Sequence, residues 1–470
     1  MTTSYGRYLQ AVVQYYKRIP RSTYAICSVV AVACGVSVWV LYPGLASYDS
    51  VYQWMQVQGV VPIGDWHPVA MVLLWKLLYF ITGKLGSMFV LWQVLFWGAV
   101  ALLLTVSLRR SRRILPLLVL GAVMLSPLVQ PIVGTIWKDS QLTIALLGAT
   151  ALLWYTTTST RFTGVTKVAV VALLVYAGLI RHNALVAVVP LLYIWAAAGW
   201  PRVHWRYHAA AVVGVLVGML AVSSCLAMMA TKQHPIVSVM VDDIVGVTNS
   251  TGATVKQAGL QPQFMRIAAA CRAKNVRANV FFRCMEDADR HAFTAVHHAA
   301  IKTMWLKTIT THPFAYVQYR AGVYGEFLTG GLSEKELNVP DVVKRQYVAS
   351  PNIVAVAADG TYIEQPHHSP IAQGLVSYSH WFAYGVLAFL FRPWFWLLMA
   401  GVLLLQSLRR ANKTAEVQLA TALAASTLLY IASYVPVAVA TDYRYILWPV
   451  MAVCVGYALL LVHRLRTTSV

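Results

Sequence analysis

Apolar runs of roughly 15 to 23 residues recur along most of this chain, each long enough to cross a hydrocarbon layer of about 30 Å. Lipid offers no hydrogen-bond partners to a backbone, so such runs are expected to be helices. The 470 residues are 59% hydrophobic and 11% charged, with a mean hydropathy of +0.62, which excludes an ordinary soluble domain. The expected fold class is all-α, a polytopic membrane helix bundle of about ten spans. Arg7, Lys17, Arg18 and Arg21 precede the first run and no small-residue cleavage site closes it, so a retained helix is expected rather than a signal peptide.

A net charge of +21 raises the question of nucleic acid, but the bases form neither one patch nor an aromatic-interleaved stripe, so no nucleic-acid partner is expected. They mark topology instead. Arg109, Arg110, Arg112 and Arg113, then Arg161 and Lys167, then Arg202 and Arg206, then Arg409, Arg410 and Lys413, then Arg464 and Arg466 follow every second apolar run. That alternation is the positive-inside pattern of a cytoplasmic-membrane protein with both termini in the cytoplasm. The expected spans run from Thr23 to Tyr42, Met88 to Ser107, Ile114 to Val133, Ser140 to Thr156, Lys167 to Ile180, Asn183 to Ala198, His208 to Ala230, Pro393 to Leu408, Val417 to Ala438 and Tyr445 to Val462. Pro68 to Thr82 and Ile371 to Phe391 are expected to lie in the outer interface, because either one as a lone span would move the next Arg cluster outside.

This scheme places 17 bases and one acid, Glu416, inside, and the other 20 of 37 bases and 15 of 16 acids outside. Charged chemistry is therefore expected on the outer face, in the loop 43–87 and the segment 231–370. Three parts follow: an N-terminal membrane module 1–230, an extracytoplasmic loop domain with an interfacial helix 231–391, and a C-terminal membrane module 392–470. Of the six cysteines, Cys27, Cys34, Cys225 and Cys454 fall in spans as packing residues, whereas Cys271 and Cys284 share the outer segment and are candidates for a disulfide. Zinc is disfavoured, since no second ligand pair lies at metal spacing.

Several outer turns carry reactive groups. Asp49, in Tyr48-Asp49-Ser50, is either a helix N-cap or a carboxylate placed to take a proton from a bound hydroxyl. In Asp65-Trp66-His67-Pro68, Pro68 suits the first position of the interfacial helix, with His67 at its positive end; Asp65 is a second site carboxylate or a turn residue. Trp137-Lys138-Asp139 reads as an interfacial anchor or as part of an anion site. Arg181-His182-Asn183 has no acid in its turn, which favours an anionic ligand for Arg181. Asp442 and Arg444 form a local pair or join the site beside Tyr445. Arg320, in the helical stretch from Ile301 to Leu328 that also holds His312-Pro313, either approaches from above or sits on a solvated amphipathic face. Together these residues suit one reaction, in which cations hold a departing phosphate while a carboxylate activates a hydroxyl.

In this order of motifs the chain resembles the membrane glycosyltransferases of the GT-C fold, in particular bacterial relatives of the protein mannosyltransferases and the lipid A aminoarabinose transferases. The residues that carry it are Tyr48-Asp49-Ser50, Asp65-Trp66-His67-Pro68, Trp137-Lys138-Asp139, Arg181-His182-Asn183 and Asp442-Tyr443-Arg444-Tyr445. The resemblance implies a polyprenyl-phosphate-linked sugar donor, a glycan, lipid or protein acceptor, Asp49 as general base, an inverting displacement, and Lys138, Arg181 and Arg444 on the donor phosphate. An Asp-Glu or Asp-X-Asp pair beside Asp49 is missing, so no metal or other cofactor is expected; Asp242-Asp243 lies far along the loop. The competing expectations are a lipid-linked polysaccharide polymerase or ligase, and a transporter or flippase, which would place ionisable groups near the midplane within internal repeats.

Overall fold

The computed structural model describes residues 20–45, 48–158, 163–252, 260–330, 382, 385–440 and 442–468. Among these residues the protein is all-helical, with no strand beyond two isolated bridges, Leu45 to Thr135 and Gly64 to Thr231. Helix α1 (Arg21–Leu41) is followed by the loop helices α2 (Tyr48–Gln58) and α3 (Val69–Thr82). Then come α4 (Ser87–Ser111), α5 (Leu115–Met124), α6 (Gln130–Val133), α7 (Lys138–Thr158), α8 (Gly164–Ile180), α9 (Ala184–Gly199) and α10 (Trp205–Ala227). A second group comprises α11 (Ile236–Thr251), α12 (Gln261–Ala273), α13 (Val280–Arg283), α14 (Asp287–Ala295), α15 (His298–Thr311) and α16 (Pro313–Thr329). After it come α17 (Pro393–Leu408), α18 (Ala415–Ala432), a 3-10 turn Tyr443–Ile446 and α19 (Leu447–Thr467). The expected interfacial segment 371–391 lies outside the described residues except for Phe382 and 385–391, which end in a 3-10 turn Ala388–Phe391.

Five helical stretches, Arg21–Leu41, Ser87–Ser111, Trp205–Ala227, Ala415–Ala432 and Tyr443–Thr467, are by length and composition apolar enough to cross a membrane, as befits a multi-pass membrane protein. Five shorter apolar helices, among them α8, α9 and α17, pack with them. The basic residues that follow alternate helices meet at one end of this bundle. Glu416, at the start of α18, is fully buried and accepts from Arg110 at the end of α4 (2.8 Å), with Arg466 of α19 3.8 Å away. Arg109 donates to Thr23 of α1 at the same end. The opposite end gathers the start of α7, the end of α8 and the turn before α19.

The expected span from Ile114 to Val133 is broken into α5 and α6. Pro127 and Pro131 supply no backbone N–H and their rings crowd the preceding turn, so the helix stops at Met124. Inside an apolar bundle the carbonyls this frees need other donors. They are found in side chains: Gln130 donates to Met124 O (2.6 Å), Ser140 to Ile132 O (2.5 Å), Thr135 to Pro131 O (2.7 Å) and Gln93 to Val133 O (3.1 Å). Pro436 likewise ends α18 early, at Ala432 rather than Ala438, and turns the chain through Tyr434 and Val437.

Helices α11 to α15 close a second core around Val241, Ile244, Phe264, Phe293, Ile301 and Met304. Cys271 and Cys284 are joined by a disulfide, their Cα atoms 5.3 Å apart, which staples α12 to α13. Asp242 caps the start of α13 by accepting from Asn279 N (3.1 Å) and Val280 N (2.7 Å). That fixes Phe281 and Phe282, whose rings both lie 5.8 Å from Trp66 of the first loop. The same loop is laced to the residues before α11: Thr231 N donates to Ile63 O (2.8 Å) and Asp65 N to Thr231 O (3.2 Å).

Candidate functional site

A cavity of about 660 Å³ opens where the first loop, the ends of α8 and α10, the start of α11 and the turn after α18 meet. Helix ends dominate its wall. Pro68, Asn183 and Pro235 immediately precede α3, α9 and α11, and none of the three caps its helix with a side chain. Lys138, which also lines the cavity, is the first residue of the 21-residue α7. Four helices thus begin at residues that line one space, and the start of a helix carries about half a positive charge. One part of the wall is apolar, with Leu179 and Ile180 from α8, Leu226 and Ala227 from α10, Ile236, and Val437. Helix α10 also exposes Val213, Val217 and Leu220 along its length.

The sequence-predicted cations divide into two sorts. Lys138 is half-buried, lines the cavity, and has no hydrogen bond or ion pair among the described residues. Arg181 also lines it, but the expectation of an acid-free arginine is corrected: its guanidinium is ion-paired with Asp139, which is 1% exposed. The ring of Tyr445 lies 4.5 Å from that guanidinium and the ring of Tyr434 5.8 Å from it. No sequence-adjacent acid was visible because the partner sits at the start of another helix.

Arg444 is withdrawn from the wall. It donates to Asp49 Oδ2 (2.8 Å), pairs with Asp442 (2.9 Å), lies 3.9 Å from Asp139 and stacks over Trp137 at 4.8 Å. Asp49, Asp139, Asp442 and Arg444 do not line the cavity; they form a charge network beside it that reaches Arg181 through Asp139. Asp49 lies in the first turn of α2 and is committed to Arg444. Burial works to raise its carboxyl, but the charges of Arg444, His67 and Lys138 and the Arg444 hydrogen bond outweigh it and hold the group at about 2.

The first loop contributes differently from expectation. Pro68 is the N-cap of α3, not its first residue, and His67 is 5% exposed on the cavity wall. Burial and the neighbouring Lys138 push its imidazole down to about 4, so at neutral pH His67 adds no cation to the site. Asp65 lines the rim, with Oδ1 accepting from Gln233 N at 2.6 Å, and so ties the loop to the segment before α11. His182 and Asn183 face the cavity, His182 exposed.

Arg320 requires a correction. It is 5% exposed, so its helix face is not solvated, and it lies off the cavity. It pairs with Asp243 at 2.5 Å and donates to the carbonyls of Ala438 (2.8 Å) and Val239 (3.3 Å), both wall residues. Arg320 therefore braces the wall through its backbone. Asp243 also accepts from Trp305 Nε1 (2.7 Å), so both carboxylates of the Asp242-Asp243 pair have partners within the protein. Among the described residues no group of three or more His, Cys, Asp or Glu side chains is placed to hold a metal ion.

Residues 434 and 437–440 and the segment around Pro235 escaped sequence reasoning. Pro436 was the available signal for the first of these, since it forces a turn where a continuous apolar run suggested helix. Comparisons with protein-family models, with curated proteins and with solved structures find no match to this chain, so the resemblance above rests on its own residues.

Proposed function

We propose that this protein is a membrane glycosyltransferase of GT-C type that moves a sugar from a polyprenyl-phosphate donor to an acceptor hydroxyl on the outer face of the bacterial cytoplasmic membrane. On this reading α1, α4, the broken pair α5 and α6, α7 to α10, and α17 to α19 make about ten crossings with both termini inside, joining modules 1–230 and 392–470 around the loop domain 231–391. One observation carries it: a lysine unpaired among the described residues and the starts of four helices line a cavity that has an apolar stretch of wall at the ends of α8 and α10. Fixed N–H dipoles and an ammonium stabilise a phosphate, and most of all the charge that develops on it as the sugar leaves. The apolar wall at the ends of α8 and α10 suits an isoprenoid chain entering sideways from lipid. The acceptor oxygen forms its bond to the anomeric carbon from the face opposite the breaking carbon–oxygen bond, and the electron pair departs with the phosphate.

Two measurements test this. The protein in lipid nanodiscs should bind polyprenyl monophosphate far more tightly than the uncharged polyprenol, read by tryptophan fluorescence, since Trp66 lines the cavity. Mass analysis of envelope glycans from cells with and without the chain should show the loss of one sugar. Equal affinity for both lipids together with an unchanged glycan profile would sink the reading.

A further inference from the structure

His67 is held on both sides along the chain. Trp66 is gripped by Phe281 and Phe282, and Pro68 is the N-cap of α3, so the backbone that presents the imidazole has little freedom. The side chain is 5% exposed and lines the cavity, yet its Nδ1 is buried without a hydrogen-bond partner among the described residues. A buried polar atom left without a partner in a packed site calls for an explanation, and a catalytic role is among those known. The Tyr52 ring, 5.6 Å away and tilted by 47°, flanks the imidazole without bonding to Nδ1. Asp49, the carboxylate expected to act as base, is occupied by Arg444 and absent from the cavity wall.

Resting on the glycosyl-transfer reading, we infer that the His67 imidazole takes the proton of the acceptor hydroxyl. The balance is complete. The acceptor oxygen bonds to the anomeric carbon, its proton passes to the His67 imidazole, and the carbon–oxygen bond to phosphate breaks with its electron pair on the phosphate oxygen. The polyprenyl phosphate remains beside Lys138 and the imidazolium later loses its proton to water. Asp49 is a positioning residue on this account, holding Arg444 beside Asp139 and hence Arg181.

The surrounding charges make the base respond to the donor. The ionisable groups acting on His67 are Lys138 from α7, Asp49 from α2 and Arg444 from the turn before α19; the Tyr52 ring of α2 flanks it, and Asp65 of its own loop is tied to Gln233 N. In the empty cavity, burial and the repulsion of Lys138 keep the imidazole neutral and a weak base at about 4, with Asp49 opposing. A phosphate bound at Lys138 cancels that repulsion, so the imidazolium is better tolerated once the donor is in place. The site binds its donor and strengthens its base in one event.

The test compares wild type with His67→Gln and His67→Ala in cells lacking the chromosomal copy. Envelope glycan is read by mass, and binding of polyprenyl monophosphate is measured on each purified variant in nanodiscs. Both variants are expected to insert normally and to bind polyprenyl monophosphate, while transfer falls by about 100-fold or more. Imidazole added to the medium should restore transfer to His67→Ala by about tenfold or more and should do so in proportion to its free-base form, as a missing proton acceptor demands. His67→Gln at more than about a tenth of wild-type transfer, or a failure of imidazole rescue, overturns the assignment while leaving glycosyl transfer intact. A wild-type protein that neither binds the lipid phosphate nor changes the envelope overturns the parent reading, and this one with it.

Discussion

Replacing Lys138 by methionine separates ligand binding from stability, because this lysine and its neighbour Arg181 sit in opposite electrostatic situations. A phosphate charge about 4 Å from the ammonium, at an effective dielectric of about 20, is attracted by about 4 kcal/mol before desolvation. Net of desolvation, a hydrogen bond to a charged group contributes about 1.5–3 kcal/mol. Lys138→Met should therefore weaken polyprenyl monophosphate by about 10- to 150-fold, at 1.4 kcal/mol per factor of ten. Stability should change little, since Lys138 makes no hydrogen bond or ion pair among the described residues and Asp49, on which its charge acts, keeps Arg444. Arg181→Met does the reverse damage. It leaves Asp139, 1% exposed, without its guanidinium, and only Arg444 at 3.9 Å remains to offset the charge. Losing one member of a buried pair costs about 3–5 kcal/mol, and the nearby Arg444 argues for the lower end. Titration by tryptophan fluorescence and thermal unfolding of each variant in nanodiscs read the two effects separately. Unchanged affinity in Lys138→Met, or unchanged melting in Arg181→Met, would refute the reasoning.

Burial pushes Asp242 up to about 7, against the pull of Arg320 and the Val280 and Asn279 amides, so its ionised form is disfavoured in the folded state. An acid raised above its unfolded value of about 4 costs nothing below that pH and progressively destabilises the fold as pH rises to about 7; Asp242→Asn should flatten this fall in melting temperature between about pH 4 and 7, and an unaltered slope would contradict it. Cys271→Ser with Cys284→Ser opens a loop with a sequence separation of 13 and should cost about 3 kcal/mol. Faster proteolysis at α12 and α13 is the readout, and resistance equal to wild type would count against a stapling role. A Cβ at Gly246 would meet the Tyr319 ring at 2.2 Å, so Gly246→Ala should destabilise by about 1–3 kcal/mol, recoverable by Tyr319→Leu. Failure of that second change to recover stability would locate the strain elsewhere.

Much of the fold was legible because its causes are local. A run such as Ser87–Ser111 declares both its helicity and its affinity for lipid, and Pro393–Leu408 has the expected limits because Pro393 opens it. The cysteines were legible as a pair for a similar reason, being close in sequence and alone in their segment. Breaks were legible in principle and were missed at Pro127, Pro131 and Pro436, where apolar composition outweighed the turn signal. Residue types at the site were also readable: His67, Lys138, Arg181, His182, Asn183 and Tyr445 all line one cavity.

What each of those residues does there was not readable, because a charge is defined by its partners and the partners lie far away in sequence. Arg444 meets Asp49 across 395 positions and Arg110 meets Glu416 across 306. Sequence alone determined that charged groups cluster between apolar runs, since hydropathy and helical hydrogen bonding act within a segment. Only the tertiary arrangement decided which arginine is neutralised, which lysine is left to face the cavity, and that the buried imidazole of His67 stands on its wall while Asp49 does not. Coulomb attraction and desolvation depend on distance and burial in space, and neither quantity is carried by the order of residues.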